Sequence, residues 1–182
     1  MHILENYYRK IIRHDLVNKF LYTHLDEIPQ IKKIILNFGC KNSDIKSIAS
    51  ALLSLELMTA KKGSVVTSKR PNVLLKIRKG NPVGCIVVLK KDEKYYFLFK
   101  LLSAVFPGLK SFTGINVSKR LKGTSFSFTL KDLINFSELE KQFYLFINLP
   151  PLNVTVITNA KTKKELTYLL QSFKLVLINA KL

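Results

Sequence analysis

Apolar or β-branched residues occupy every second position in three separate stretches: Ile34, Leu36 and Phe38; Phe126, Phe128 and Leu130; Val154, Val156 and Thr158. Successive side chains of a strand point to opposite faces, so each stretch buries one face and leaves the other open. Helical spacing lies between them. Ile12, Leu16 and Phe20 recur at four-residue steps within a predicted helix over 4–22. Asn42-Ser43-Asp44 offers an N-cap for a helix to about Met58, packed through Ile45, Ile48, Leu52 and Leu55. Asp92-Glu93 suits the first turn of a helix over 92–105, whose Tyr95, Tyr96, Phe97 and Phe99 suit a core. Thr162-Lys163-Lys164-Glu165 is a capping box, opening a last helix to about Phe173. Further strands are expected at about 64–69, 73–79 and 83–90. Helices and hairpin-spaced strands alternate without a regular βαβ rhythm, which points to an α+β fold. The 182 residues suffice for one domain, 1–182, with a real core.

Charge narrows the function. Thirty Lys and Arg face 12 Asp and Glu, a formal net charge of +18, in a chain that is 47% hydrophobic and therefore globular. Such an imbalance costs self-repulsion and points to a polyanionic partner, nucleic acid first and an anionic membrane surface second. Most of the cations are lysine, and Ile, Asn, Phe and Tyr are plentiful, a bias that an AT-rich coding sequence produces. The stretch VVTSKRPNVLLKIRKGNPVGC, residues 65–85, gathers Lys69, Arg70, Lys76, Arg78 and Lys79 in a hairpin-like place. Its alternation predicts a strand over 73–79, with Val73, Leu75 and Ile77 inward and Lys76 and Arg78 outward. In IKKIILNF, residues 31–38, Lys33, Ile35 and Asn37 share the face opposite Ile34, Leu36 and Phe38.

Catalytic signatures are missing. The chain has no Gly-rich dinucleotide turn, no Gly-Lys-Ser/Thr phosphate loop and no His-Glu-x-x-His pair. His2, His14 and His24 lack carboxylates arranged to orient them, and Cys40 and Cys85 sit in no metal-ligand spacing. The reading is a protein that is not an enzyme and takes no cofactor or metal, with two reduced thiols. No apolar run reaches the roughly 20 residues of a membrane span. The opening MHILENYYRK has neither a cleavable apolar core nor an Arg/Ser-rich look, so the expectation is a protein either used where it is made or targeted by a signal of another kind.

Six collinear blocks add a family resemblance. Leu4-Glu5-Asn6-Tyr7-Tyr8 opens the series. Ile28-Pro29-x-x-x-Lys33-Ile34-x-Leu36-Asn37-x-Gly39 follows, then Val65-Val66-Thr67 with Lys76-Ile77-Arg78-x-Gly80-x-Pro82-Val83-Gly84-Cys85. Pro107-x-Leu109-Lys110-x-Phe112-x-Gly114, Phe136-x-Glu138 and Val154-Thr155-Val156-Ile157-Thr158-x-Ala160-Lys161-Thr162 complete it. Together they resemble the L-five family of large-subunit ribosomal proteins, which bind 5S rRNA. The resemblance covers about 4–178 with near-constant spacing.

It implies a two-layer α+β domain, a curved, mostly antiparallel sheet with helices on one side, in the central protuberance of the large ribosomal subunit. It implies rRNA contacts, to 5S rRNA or adjacent large-subunit rRNA, through Lys33, Asn37, Lys62, Thr67 and Lys90. It assigns the hairpin loop at about 67–82, with Lys69, Arg70, Lys76, Arg78 and Lys79, to the tRNA in the P site. Lys110 falls near a bridge to a small-subunit head protein. Several family positions have changed: Pro71-Asn72 stands in a loop one residue shorter, and Gly108 and Thr113 replace arginines. These departures and the AT-type composition imply a divergent version encoded and used inside a mitochondrion, with a bacterial cytoplasm or a plastid as alternatives. The competing classes are a basic peripheral membrane or acidic-protein adaptor, and a small RNA-modifying enzyme. Neither explains the order of the blocks.

Overall fold

The computed structural model describes residues 2–40, 44–109, 112–116, 121–122 and 124–178. Eight strands are present among them: β1 (Ile31–Gly39), β2 (Ser64–Thr67), β3 (Pro82–Leu89), β4 (Ile115–Asn116), β5 (Leu121–Lys122), β6 (Ser125–Leu130), β7 (Leu152–Thr158) and β8 (Leu177–Ile178). The main sheet is antiparallel and open, in the order β2-β3-β1-β7-β6-β5, while β4 and β8 form a parallel pair. The fold is α+β, as the mixed periodicities require. Contacts divide the chain into two compact units, residues 1–34, 89–128 and 155–182, and residues 35–88 and 129–154.

In the first unit, α1 (Ile3–Tyr7), a π-helical turn (Tyr8–Ile12) and α2 (Arg13–Lys19) follow one another without a break. Ile12 and Leu16 are fully buried, as their spacing demands. The helix stops at Lys19, short of the expected residue 22, because Phe20 turns extended (φ −123°, ψ 136°). Tyr8 stacks on Phe173 at 6.1 Å, and its hydroxyl donates to the Pro29 carbonyl at 2.9 Å. Burial pushes that phenol upward in pKa.

The second long helical segment of this unit runs from α4 (Asp92–Lys100) through a π-helical turn (Leu101–Val105) into α5 (Phe106–Gly108). Tyr95 and Phe97 enter the core, but Tyr96 and Phe99 are exposed, with the His2 ring edge-on at 5.7 and 5.4 Å. The last helix, α8 (Lys163–Ser172), begins as expected. Thr162 Oγ1 accepts the Glu165 N–H at 3.2 Å, and Glu165 Oε2 accepts the Thr162 N–H at 3.4 Å.

Asn159, just past β7, ties the segment before β1 into this unit. Its Oδ1 accepts the Gln30 N–H at 2.6 Å, and its Nδ2 donates to the Asp26 and Ile28 carbonyls at 3.1 and 3.2 Å. Close by, the Lys161 ammonium meets Glu27 Oε1 at 2.5 Å, and Thr23 donates to Glu27 Oε2 through its hydroxyl and its amide. The Lys161 bond first, then the Thr23 bonds, hold the Glu27 carboxyl down at about 2.

In the second unit, Leu36 and Phe38 of β1 are fully buried, each worth roughly 1.5–3 kcal/mol relative to exposure. Helix α3 (Ile45–Thr59) is capped by Asp44, whose carboxylate accepts the Lys46 N–H. Its inward stripe is Ile48, Ala51, Leu55 and Met58. Ile45, expected in the core, is exposed at the helix mouth, a turn before the stripe begins. Two short helices, α6 (Ser137–Glu140) and α7 (Phe143–Phe146), pack against α3. Cys40 and Cys85 are buried, free thiols.

Gly84 of β3 is set by packing. A Cβ there would lie 2.2 Å from the Phe38 carbonyl oxygen, a backbone atom with no room to move. We expect Gly84→Ala to destabilise the protein by about 3 kcal/mol, read from the urea midpoint. A loss under about 0.5 kcal/mol would show that the strands part easily.

The depressed Glu27 carboxyl gives a pH signature. Its folded pKa lies below the ordinary carboxylate value, so its contribution is complete above about pH 4.5 and lost as pH falls toward about 2. Denaturant midpoints of wild type and Glu27→Gln should therefore converge across that window and differ above it.

Candidate nucleic-acid interface

The most basic part of the chain is an arm between two paired strands. Strand β2 pairs with β3 in the register Ser64↔Ile86, Val65↔Cys85, Val66↔Gly84 and Thr67↔Pro82, with a bulge between Val66 and Thr67. Beyond the bulge the chain continues as a closed loop. The Ser68 N–H donates to Asn81 O at 2.8 Å and the Gly80 N–H to Ser68 O at 2.9 Å. Gly80 has φ +90°, a conformation that L residues rarely adopt. At the tip, Asn72 and Ile77 exchange two backbone hydrogen bonds of 2.8 and 3.0 Å around a tight turn. Asn72 Oδ1 also accepts the Leu75 N–H at 3.3 Å, as a turn-starting Asn does.

This turn replaces the strand expected over 73–79. Only Ile77 is tucked in, at 9% exposure. Val73 is 90%, Leu74 94% and Leu75 52% exposed, so Val73 and Leu75 do not face inward. Pro71 and Asn72 start a turn, and Lys76 takes a left-handed backbone (φ 52°), which breaks the alternation before it can become a ladder. The tip is therefore apolar and cationic at once, a feature that the strand reading hid.

Lys69, Arg70, Lys76, Arg78 and Lys79 are all exposed on this one arm. Between Glu56 and Asp92 the chain carries nine Lys or Arg and no Asp or Glu. Among the described residues none of the five is held in an ion pair. The arm therefore presents unneutralised charge to any polyanion, the arrangement that releases counterions from phosphates.

The other expected RNA-facing residues are more scattered. In the first unit, Lys33 of β1 is half-buried and Lys90 is exposed just after β3, its N–H donating to Glu93 Oε2 at 3.2 Å. In the second unit, Asn37 is exposed on the open face of β1, and Lys62 and Thr67 are exposed at the two ends of β2. Lys110 lies outside the described residues. Among the described residues no group of three His, Cys, Asp or Glu is placed to hold a metal ion, and no helix is long and apolar enough to cross a membrane.

Comparison with known proteins gives this arrangement a context. The pattern of the C-terminal part of the ribosomal L5 family matches residues 82–177. The chain is 38% identical over 179 residues to the large ribosomal subunit protein uL5m of Reclinomonas americana, covering 97% of this chain and 98% of that protein. The chain belongs to the ribosomal L5 family. Other relatives are the large ribosomal subunit proteins uL5 of Nitrosomonas europaea, 35% identical over 173 residues, and of Nitrosomonas eutropha, 34% over 174. Each alignment covers 94% of this chain and 96% of the relative. The likeness to these L5 proteins is thus end to end.

The exposed tip has a direct consequence for stability. Because Val73 and Leu74 bury almost nothing, replacing either by Ser should shift stability by less than about 0.5 kcal/mol. Ile77→Ser, at the tucked position, should cost about 1–3 kcal/mol. Urea unfolding of the three variants checks the contrast.

Proposed function

We propose that this L5-family chain is a structural constituent of the large ribosomal subunit of a mitochondrion. It sits in the central protuberance, where Lys33, Asn37, Lys62, Thr67 and Lys90 contact 5S rRNA or adjacent large-subunit rRNA. Its arm, through Lys69, Arg70, Lys76, Arg78 and Lys79, reaches the P-site tRNA, and Lys110 lies near a bridge to a small-subunit head protein. The observation that carries this reading is the arm itself: five exposed cations on a hydrogen-bonded hairpin within a stretch free of acids. The end-to-end likeness to uL5m of Reclinomonas americana supports the large-subunit and mitochondrial parts. Phosphate contacts of this kind hold position and carry little sequence information, so discrimination rests on RNA shape and on polar residues such as Asn37.

A second reading follows from the tip, where Val73 and Leu74 stand out among cations as a membrane-inserting loop does. Flotation with anionic liposomes in the absence of RNA would favour it.

For the first reading, the protein should co-sediment with the large subunit at moderate salt. Arg78→Ala combined with Lys79→Ala should leave that assembly intact and weaken binding of P-site tRNA. The slope of log K against log salt for tRNA should fall by about 1 per cation removed. Failure of the double variant to enter the subunit would make the arm an rRNA anchor instead.

A further inference from the structure

The first unit contains a polar cleft that the arm and the sheet do not account for. A cavity of about 460 Å³ is lined by Tyr8, Arg9, Arg13, Asp26, Ile28 and Gln30, among others. A second, of about 310 Å³, shares Tyr8, Arg9 and Gln30 with it and adds Lys91 and Lys94 together with Glu5 and Asp92. Both fall within the range of small-ligand sites, roughly 300–1,000 Å³.

The charges in this cleft are not all satisfied. Arg9 is committed to Glu5, at 2.6 Å. Arg13, one helical turn further on, is half-buried, and among the described residues it has no carboxylate partner. It lies close enough to Tyr8 to oppose the upward push of burial on that phenol. Lys94 is half-buried too, and its ammonium is pushed down in pKa by that burial. Lys91, on the rim, has φ 49° and ψ −127°, a strained backbone for a residue with a side chain. A half-buried guanidinium that is held in no ion pair is free to take a phosphate oxygen.

The rest of the lining suits a base. Leu25 offers exposed apolar surface, Gln30 an amide, and Asp26 a carboxylate. Guanine is the RNA base with two adjacent N–H donors on its Watson–Crick edge, the pattern that a carboxylate accepts. We propose that the cleft takes one unpaired guanosine nucleotide of the bound RNA, its phosphate on Arg13 and its base edge on Asp26. The inference rests on the RNA-binding reading above and gives that protein a site for one extruded nucleotide, distinct from the arm.

The test uses the full chain titrated with GMP, AMP and inorganic phosphate, followed by the NMR shifts of the Tyr8, Arg13 and Gln30 amides. GMP should bind about tenfold more tightly than AMP or phosphate. Arg13→Ala should weaken GMP about tenfold. Asp26→Asn, a change at an exposed residue, should remove the preference for GMP over AMP. The trinucleotide UpGpU should compete with GMP, as a base within a strand must. The inference is overturned if no shifts appear, if GMP and phosphate bind equally, if Asp26→Asn keeps the preference, or if UpGpU does not compete. Sedimentation with the large subunit, run in parallel, separates the two readings. A wild type that co-sediments but ignores GMP sinks the cleft alone. One that binds GMP but stays out of the subunit leaves the nucleotide site standing and removes the ribosomal reading.

Discussion

The close approach of Gly84 to the Phe38 carbonyl is the constraint on which the second unit depends. Only a residue without a Cβ lets β3 lie this near β1, and the pairing continues through the Cys40 N–H, which donates to Val83 O at 2.9 Å. That pairing fixes where β3 starts, at Pro82, and so where the arm leaves the sheet. Proline suits the first position of a strand, because it has no N–H to offer the ladder. The bulge at Val66/Thr67 does the same on the other side, ending regular pairing where the loop begins. The direction of the arm is thus set by packing at its root, while its own residues are left free to carry charge.

Charge on the arm is unopposed because the chain places its acids elsewhere. Glu27 is taken by Lys161, Glu5 by Arg9 and Glu165 by the start of α8. Such bonds stabilise local structure, and they also remove carboxylates that would compete for the basic surface. Exposed ion pairs contribute little to stability, so a cationic arm forfeits little by lacking them, and the cost that remains is repulsion among its own charges. The folding of the molecule and its attraction for a polyanion are therefore carried by different residues.

Much of the architecture was legible in the sequence. The alternation at Ile34, Leu36 and Phe38, and at Phe126, Phe128 and Leu130, marked buried strand faces, and Thr162 with Glu165 marked a helix start. These signals are local, and each agrees with the tertiary structure. Val73 and Leu75 misled because alternation over four or five residues does not distinguish a strand from a turn with apolar corners. Pro71-Asn72 was the competing signal, and turn chemistry won. Ile45 misled in another way, since a residue in the first turn of a helix lies beyond the neighbours that would cover it. The arm cations were legible because they are close together in the chain. The cleft was not, because Arg13, Asp26, Gln30 and Lys94 come from separate segments, joined by the Tyr8–Pro29 bond and the Asn159 clamp.

The apolar tip has one more consequence, for the protein before it meets a partner. Val73 and Leu74 are almost wholly uncovered, and in the free chain the surrounding cations keep two such tips apart by repulsion. Salt shortens the reach of that repulsion, to roughly 8 Å at physiological strength, and leaves the aliphatic contact untouched. Rising salt therefore weakens what holds two exposed tips apart and spares the apolar attraction between them.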